Sequence, residues 1–177
     1  MLDKLLLMDP SQVRAWTDQT LQDGGGFAAT FNWHMLADAA GENARSMLDL
    51  GWAETAIHVY EYLAHSHEDS EGSPYMLSSM HLRGFMIREL GPGEGVLDPQ
   101  SVFSWFSSSH QDLDAIKLEI ALVQQLDDEQ LSKHKALLLV LRRIKNQLAV
   151  LQEIATNPMV TIPPSIVEWL HLGSQLP

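Results

Sequence analysis

Apolar residues recur along this chain at the three- and four-residue steps of a helix, not at the alternating steps of a strand. Asp9-Pro10 opens the first such segment, with an acceptor at the N-cap and then a proline where no amide partner is missed. Val13, Trp16, Thr17, Thr20 and Leu21 follow on one face, and Gly24-Gly25-Gly26 closes it. Phe27, Phe31, Met35 and Ala39 predict a second helix stopping near Gly41. A third, over Glu42 to Leu50, carries Ala44, Met47 and Leu48, with Gly51 either its cap or a tolerated interruption. Trp52, Ala56, Val59, Tyr60 and Leu63 share the face of a fourth. Pro74 ends the polar stretch that follows, and Met76, Leu77, Met80, Gly84 and Ile87 run to a stop at Leu90-Gly91.

Asp98-Pro99 repeats the first start signal and opens a short helix with Val102, Phe103 and Phe106. Residues 107–112, "SSSHQD", are the best internal boundary. Two longer helices are expected beyond it. One carries Leu113, Ile116, Ile120 and Val123. The other starts near Asp128 and places Leu137, Leu141, Ile144, Leu148, Leu151 and Ala155 at the alternating fours and threes of a coiled-coil seam. The two are expected to pack as an antiparallel hairpin against the N-terminal part. Asn157-Pro158 and Pro163-Pro164 interrupt the chain before a last short helix in "SIVEWLHL". The only β-like run, "MVTI", is too short to found a sheet. The expectation is an all-α domain spanning 1–177, with seven to nine helices in a bundle or as stacked helix pairs.

The stretch "AETAIHVYEYLAHS" (53–66) resembles the second helix of a tetratricopeptide unit, through Ala56, Tyr60 and Leu63 or Ala64. The matching positions of a first helix fall on Ala40 and Ala44, and one repeat further on lies Leu90, at a helix end. The resemblance therefore covers one helix without its repeat, and no family follows from it.

Charge narrows the partners. The 177 residues carry a net charge of −12, which repels nucleic-acid backbones and leaves a protein partner as the expectation. Residues 1–110 hold 15 Asp and Glu against 5 Lys and Arg; residues 111–177 hold 8 against 6. Lys133, Lys135, Arg142, Arg143 and Lys145 gather within the second long helix, either as a solvated face or as a contact for an acidic partner. There are no cysteines, so disulfides, thiolate metal sites and cysteine nucleophiles are excluded. The apolar run Leu5–Met8 is too short for a signal-peptide core, and no run approaches a membrane span. A cytoplasmic location is expected.

Candidate chemistry concentrates in "HVYEYLAHSHED" (58–69). On a helix His58, Glu61 and His65 share a face, and His34 and His81 lie on other helices. Together these five could ligate zinc or iron. Their spacing matches neither the H-E-x-x-H of zincins nor paired E-x-x-H di-iron helices. Glycine-rich phosphate loops and the G-x-S-x-G elbow are absent too. The leading expectation is a non-enzymatic interaction module: an acidic helical adaptor, dedicated chaperone or immunity-type inhibitor. The five tryptophans and eight methionines supply suitable anchors. The alternative is a metal-binding helical bundle, enzyme or sensor. Apolar residues flanking the seam, Leu138, Val140, Ala149 and Val150, exceed what one hairpin partner can cover, which suggests a homodimer through residues 113–155.

Overall fold

The computed structural model describes residues 1–66, 73–110 and 112–176. His67, Glu68 and Asp69 of the histidine-rich stretch, and Gln111 of the expected boundary, lie outside them. Eleven α-helices and one 3-10 turn make up the described chain, with no strand among the described residues. The helices are α1 (Leu2–Leu5), α2 (Pro10–Asp23), α3 (Gly26–Thr30), α4 (Trp33–Met47), α5 (Leu50–His65), α6 (Pro74–Leu90), α7 (Pro99–Ser109), α8 (Leu113–Val123), α9 (Asp128–Lys133), α10 (Lys135–Ala155) and α11 (Pro164–Gly173). The turn, Gly95–Leu97, precedes α7. No described helix is long and apolar enough to cross a membrane.

Side-chain caps set most of the helix starts. Asp9, Asp49, Asp98 and Asp112 each accept a backbone N–H of their own first turn, from Ser11, Trp52, Gln100 and Ala115. Asp127 and Gln130 form a reciprocal capping box. Much of the acidic charge therefore sits where a helix N-terminus favours it.

The eleven helices exceed the seven to nine expected because residues 2–5 form the short α1 and the second long helix divides, while residues 27–50 still make two helices with the break moved. The segment expected to run from Phe27 to Gly41 breaks at Phe31-Asn32, where the Asn32 side chain caps α4 by accepting from Met35 N. The new helix then continues through Gly41 to Met47. Gly41 is no stop: a side chain there would meet Ala56 and Leu82 at 3.8 Å, so it sits at a close crossing of α4 with α5 and α6. Leu48 ends α4 in the left-handed region, with φ at 52°, a position that costs a residue with a Cβ about 1–2 kcal/mol. Gly51 lies inside the first turn of α5, where a side chain would meet Pro10 at 3.2 Å. The second long helix divides at His134 into α9 and α10.

Two apolar cores flank α6. Leu82 and Met86 face the core built by α2, α4 and α5, with Val13, Leu36, Ala40, Trp52, Ala56 and Val59. Met80 and Ile87 face the other, shared with Val102 and Phe106 of α7 and with Leu141, Ile144, Leu148 and Leu151 of α10. The pair 80 and 87 is centred about 130° around the helix from the pair 82 and 86, so α6 presents two separate apolar faces, as a central helix must. Gly84 allows the α6–α10 crossing: a Cβ there would sit 3.2 Å from a Val150 methyl. The principal partner of α10 is thus α6, followed by α11 and α7; the hairpin expected with α8 is not its main packing. Ile120 and Val123 of α8 join the same core from its edge. At the end of the seam Ile154 is buried and Ala155 exposed, the drift of a straight 3.6-residue helix away from a heptad.

Candidate functional site

The histidine and glutamate side chains singled out in the sequence are each engaged separately. His58 Nε2 lies 2.6 Å from Asp18 Oδ1 on α2, close in distance but not aligned as a hydrogen bond. Glu61 accepts from Arg83 on α6 at 3.0 Å and from the Ser79 hydroxyl at 3.3 Å. His65 Nδ1 donates back to the Glu61 carbonyl at 2.6 Å. His34 pairs with Asp38 one turn on, at 3.0 Å, and packs edge-on against Tyr75. Tyr60, whose hydroxyl donates to the same Asp38, has its pKa raised first by burial and then by that carboxylate. His81 is half-buried, and burial, reinforced by the Arg45 charge, holds it neutral below its ordinary value. The metal set His34, His58, Glu61, His65 and His81 is therefore not assembled. Among the described residues no group of three or more His, Cys, Asp or Glu is placed to hold a metal ion.

His58 and Glu61 instead line a shallow cleft of about 510 Å³ between α2, α5 and residues 95–101. Most of its charged groups lie against one another. Arg14 meets Glu54 at 2.6 Å, Asp18 meets His58, and Arg83 meets Glu61 while also donating to the Gly95 carbonyl at 3.2 Å. Asp98 on the far wall caps α7, and Ser101 Oγ donates to it at 3.4 Å, away from any relay with His58. These pairs tie α2 to α5 and α5 to α6. They are partly exposed, so each contributes at most about 1 kcal/mol and chiefly sets register.

The basic cluster has the opposite character. Lys133 pairs with Glu129 at 3.1 Å. Lys135, Arg142 and Arg143 are exposed and make no ion pair among the described residues, and Lys145 is exposed beside them. No acid occurs between Gln130 and Gln152, although the chain as a whole is strongly acidic. Within this segment Leu139 is 64% and Val140 46% exposed. Lys135, Leu138, Leu139 and Arg142 alone line a groove of about 250 Å³. They stand at i, i+3, i+4 and i+7 of one helix. This is the four-residue hole that accepts a side chain from a facing helix in coiled-coil packing. Here it is open, apolar at its centre and basic at both ends. The sequence located the five cations but not the hole; its signal was the unbroken "LLLVL" of 137–141, which puts leucines on every side of the helix.

No family model matches the chain, and no curated protein or solved structure matches it, so what it is must be read from its own geometry.

Proposed function

We propose that the protein is a non-enzymatic interaction module, of adaptor type, that docks an amphipathic helix of an acidic partner along the first half of α10. One observation carries this reading: the unfilled hole between Lys135, Leu138, Leu139 and Arg142. An apolar side chain from the partner fills the centre, and carboxylates one turn to either side meet Lys135 and Arg142. Such a contact derives its affinity from the buried leucine and its selectivity from the charges. The charged cleft at α2 and α5 supports no comparable reading, because Glu54 and Glu61 already face Arg14 and Arg83, Asp18 lies against His58, and Asp98 caps α7.

The test is fluorescence anisotropy with a labelled amphipathic helical peptide carrying leucines four residues apart, flanked by glutamates, and a second peptide flanked by lysines. The acidic peptide is expected to bind with a Kd in the micromolar range that weakens with salt, and the basic peptide at least about tenfold more weakly. The Arg142→Glu, Arg143→Glu double substitution should abolish binding of the first. Equal binding of both peptides, or of neither, overturns the reading.

A further inference from the structure

The chain itself carries a helix with the chemistry that the hole calls for. Leu113, Ile116, Ile120 and Val123 of α8 turn toward the core, with Ile120 2% exposed. The opposite face presents Asp114, Leu118 and Leu122 at four-residue steps. Leu118 is 73% and Leu122 46% exposed, and the Asp114 side chain is 91% exposed. This stripe is an acid followed by two leucines, one turn apart; Asp114 meets Lys117 of its own helix only at 3.5 Å and stays 91% exposed, so its carboxylate can still take a second cation. The four lining residues all belong to α10; Leu138 touches the core with one flank, while Lys135, Leu139 and Arg142 are turned to solvent, and no residue of α8 lines the hole.

We infer that a second copy of the chain fills it: the outward stripe of α8 from one copy docks on the first half of α10 of the other, twice, about a two-fold axis. The inference rests on the docking face proposed above and names its resting occupant. In an antiparallel crossing, Leu118 in the hole places Asp114 ~6 Å along the axis and Arg142 ~5 Å from the centre of the hole, so the two charges meet. Leu122 then lies ~6 Å the other way along the axis, level with Lys135, whose aliphatic stem it can cover. With that two-fold axis the contact is made reciprocally, and the closed dimer covers all four apolar patches; a head-to-tail chain would leave one stripe and one hole open at its ends. Stripe against stripe or hole against hole would set like charges together. The acidic partner helix proposed above must then displace α8 to dock.

The experiment is sedimentation velocity at low micromolar concentration on the full chain, with helicity checked by circular dichroism for each variant. Wild type is expected to be dimeric. Leu118→Glu and Leu139→Glu should each weaken the dimer by at least tenfold. Arg142→Glu should weaken it several-fold, and Asp114→Arg added to the same chain should restore it. A monomeric wild type, a dimer indifferent to Leu118→Glu, or a failed charge exchange overturns the inference. The acidic peptide separates this from the docking reading: Leu118→Glu leaves the hole intact and should bind the peptide at least as tightly as wild type. Peptide binding by a monomeric wild type would sink the dimer alone, whereas loss of peptide binding in every variant and in wild type would sink the docking face itself.

Discussion

The two halves of α10 carry the same apolar rhythm and meet different fates. From Ile144 onward, Ile144, Leu148, Val150, Leu151 and Ile154 are each at most 1% exposed, enclosed by α6, α7 and α11. Before it, Leu139 and Val140 stand largely in solvent, and Leu137 and Leu138 are only half-buried. Helical periodicity states which face of a helix can be apolar. Whether anything covers that face depends on where the rest of the chain goes, and α6 crosses the second half at Gly84 and Val150. Leu139 in the first half is therefore available for recognition, while Leu141, one helical face away, and the leucines of the second half are committed to the fold.

Truncation measures that difference most directly. Leu148→Ala removes a side chain that is 1% exposed and abuts Gly173 of α11, so little can collapse into the space. A loss of about 2–5 kcal/mol is expected. The same change at Leu139 should cost less than about 0.5 kcal/mol, because most of that side chain is hydrated in the folded chain as well. Urea unfolding at sub-micromolar concentration, where self-association does not intervene, checks both. Comparable losses at the two positions would erase the contrast.

A smaller effect marks the covered half by pH. His110, at the end of α7, donates through Nε2 to Gln147 of α10 and packs at a tilt against Phe106 and against Trp169 of α11. Burial pushes its imidazole below the ordinary value of 6.5; the Gln147 hydrogen bond opposes this and the Arg143 charge adds to it. A histidine whose folded pKa is depressed binds its proton more readily when unfolded. Stability is therefore complete above pH 6.5 and falls as the pH drops from 6.5 toward the lowered value, with a slope of at most about 1.4 kcal/mol per pH unit per histidine. His81, half-buried on α6 and lowered by that burial and then by the Arg45 charge, adds to the same slope. His110→Gln should flatten part of it and leave the His81 part. Unfolding free energies from pH 5 to 8 that show no such flattening would mean that the α7–α10–α11 junction is open to water.

Those contrasts also explain which parts of the molecule the sequence disclosed. The all-α class followed from periodicity, and the starts at Pro10 and Pro99 from Asp-Pro pairs that do cap their helices. Gly41 misled because a glycine placed for close packing looks the same in sequence as one placed to end a helix. His134 was missed because neither proline nor glycine marks the break between α9 and α10. The spacing of His58, Glu61 and His65 along α5 was legible, but their partners Asp18 and Arg83 come from α2 and α6, and no local pattern reports such contacts. The cations of α10 were legible for the same reason that the caps were: both are local. The open hole between them is a property of what is missing opposite, which only the assembled chain displays.

The finest effect should come from Leu139→Gln, which keeps the length of the side chain and nearly its helix propensity while making it polar. Leu139 is 64% exposed, so the dilute monomer should change in stability by no more than about 0.5 kcal/mol in either direction. A self-associating protein gains apparent stability with concentration by mass action, and one that does not associate gains none. Thermal unfolding from 1 to 100 μM should therefore raise the Tm of wild type while leaving that of Leu139→Gln nearly flat, the two curves converging at the dilute end. Convergence there assigns the difference to the uncovered face and not to the fold. Parallel curves with a constant offset would instead place Leu139 among the residues that hold the monomer together, and the distinction between the two halves of α10 would fail.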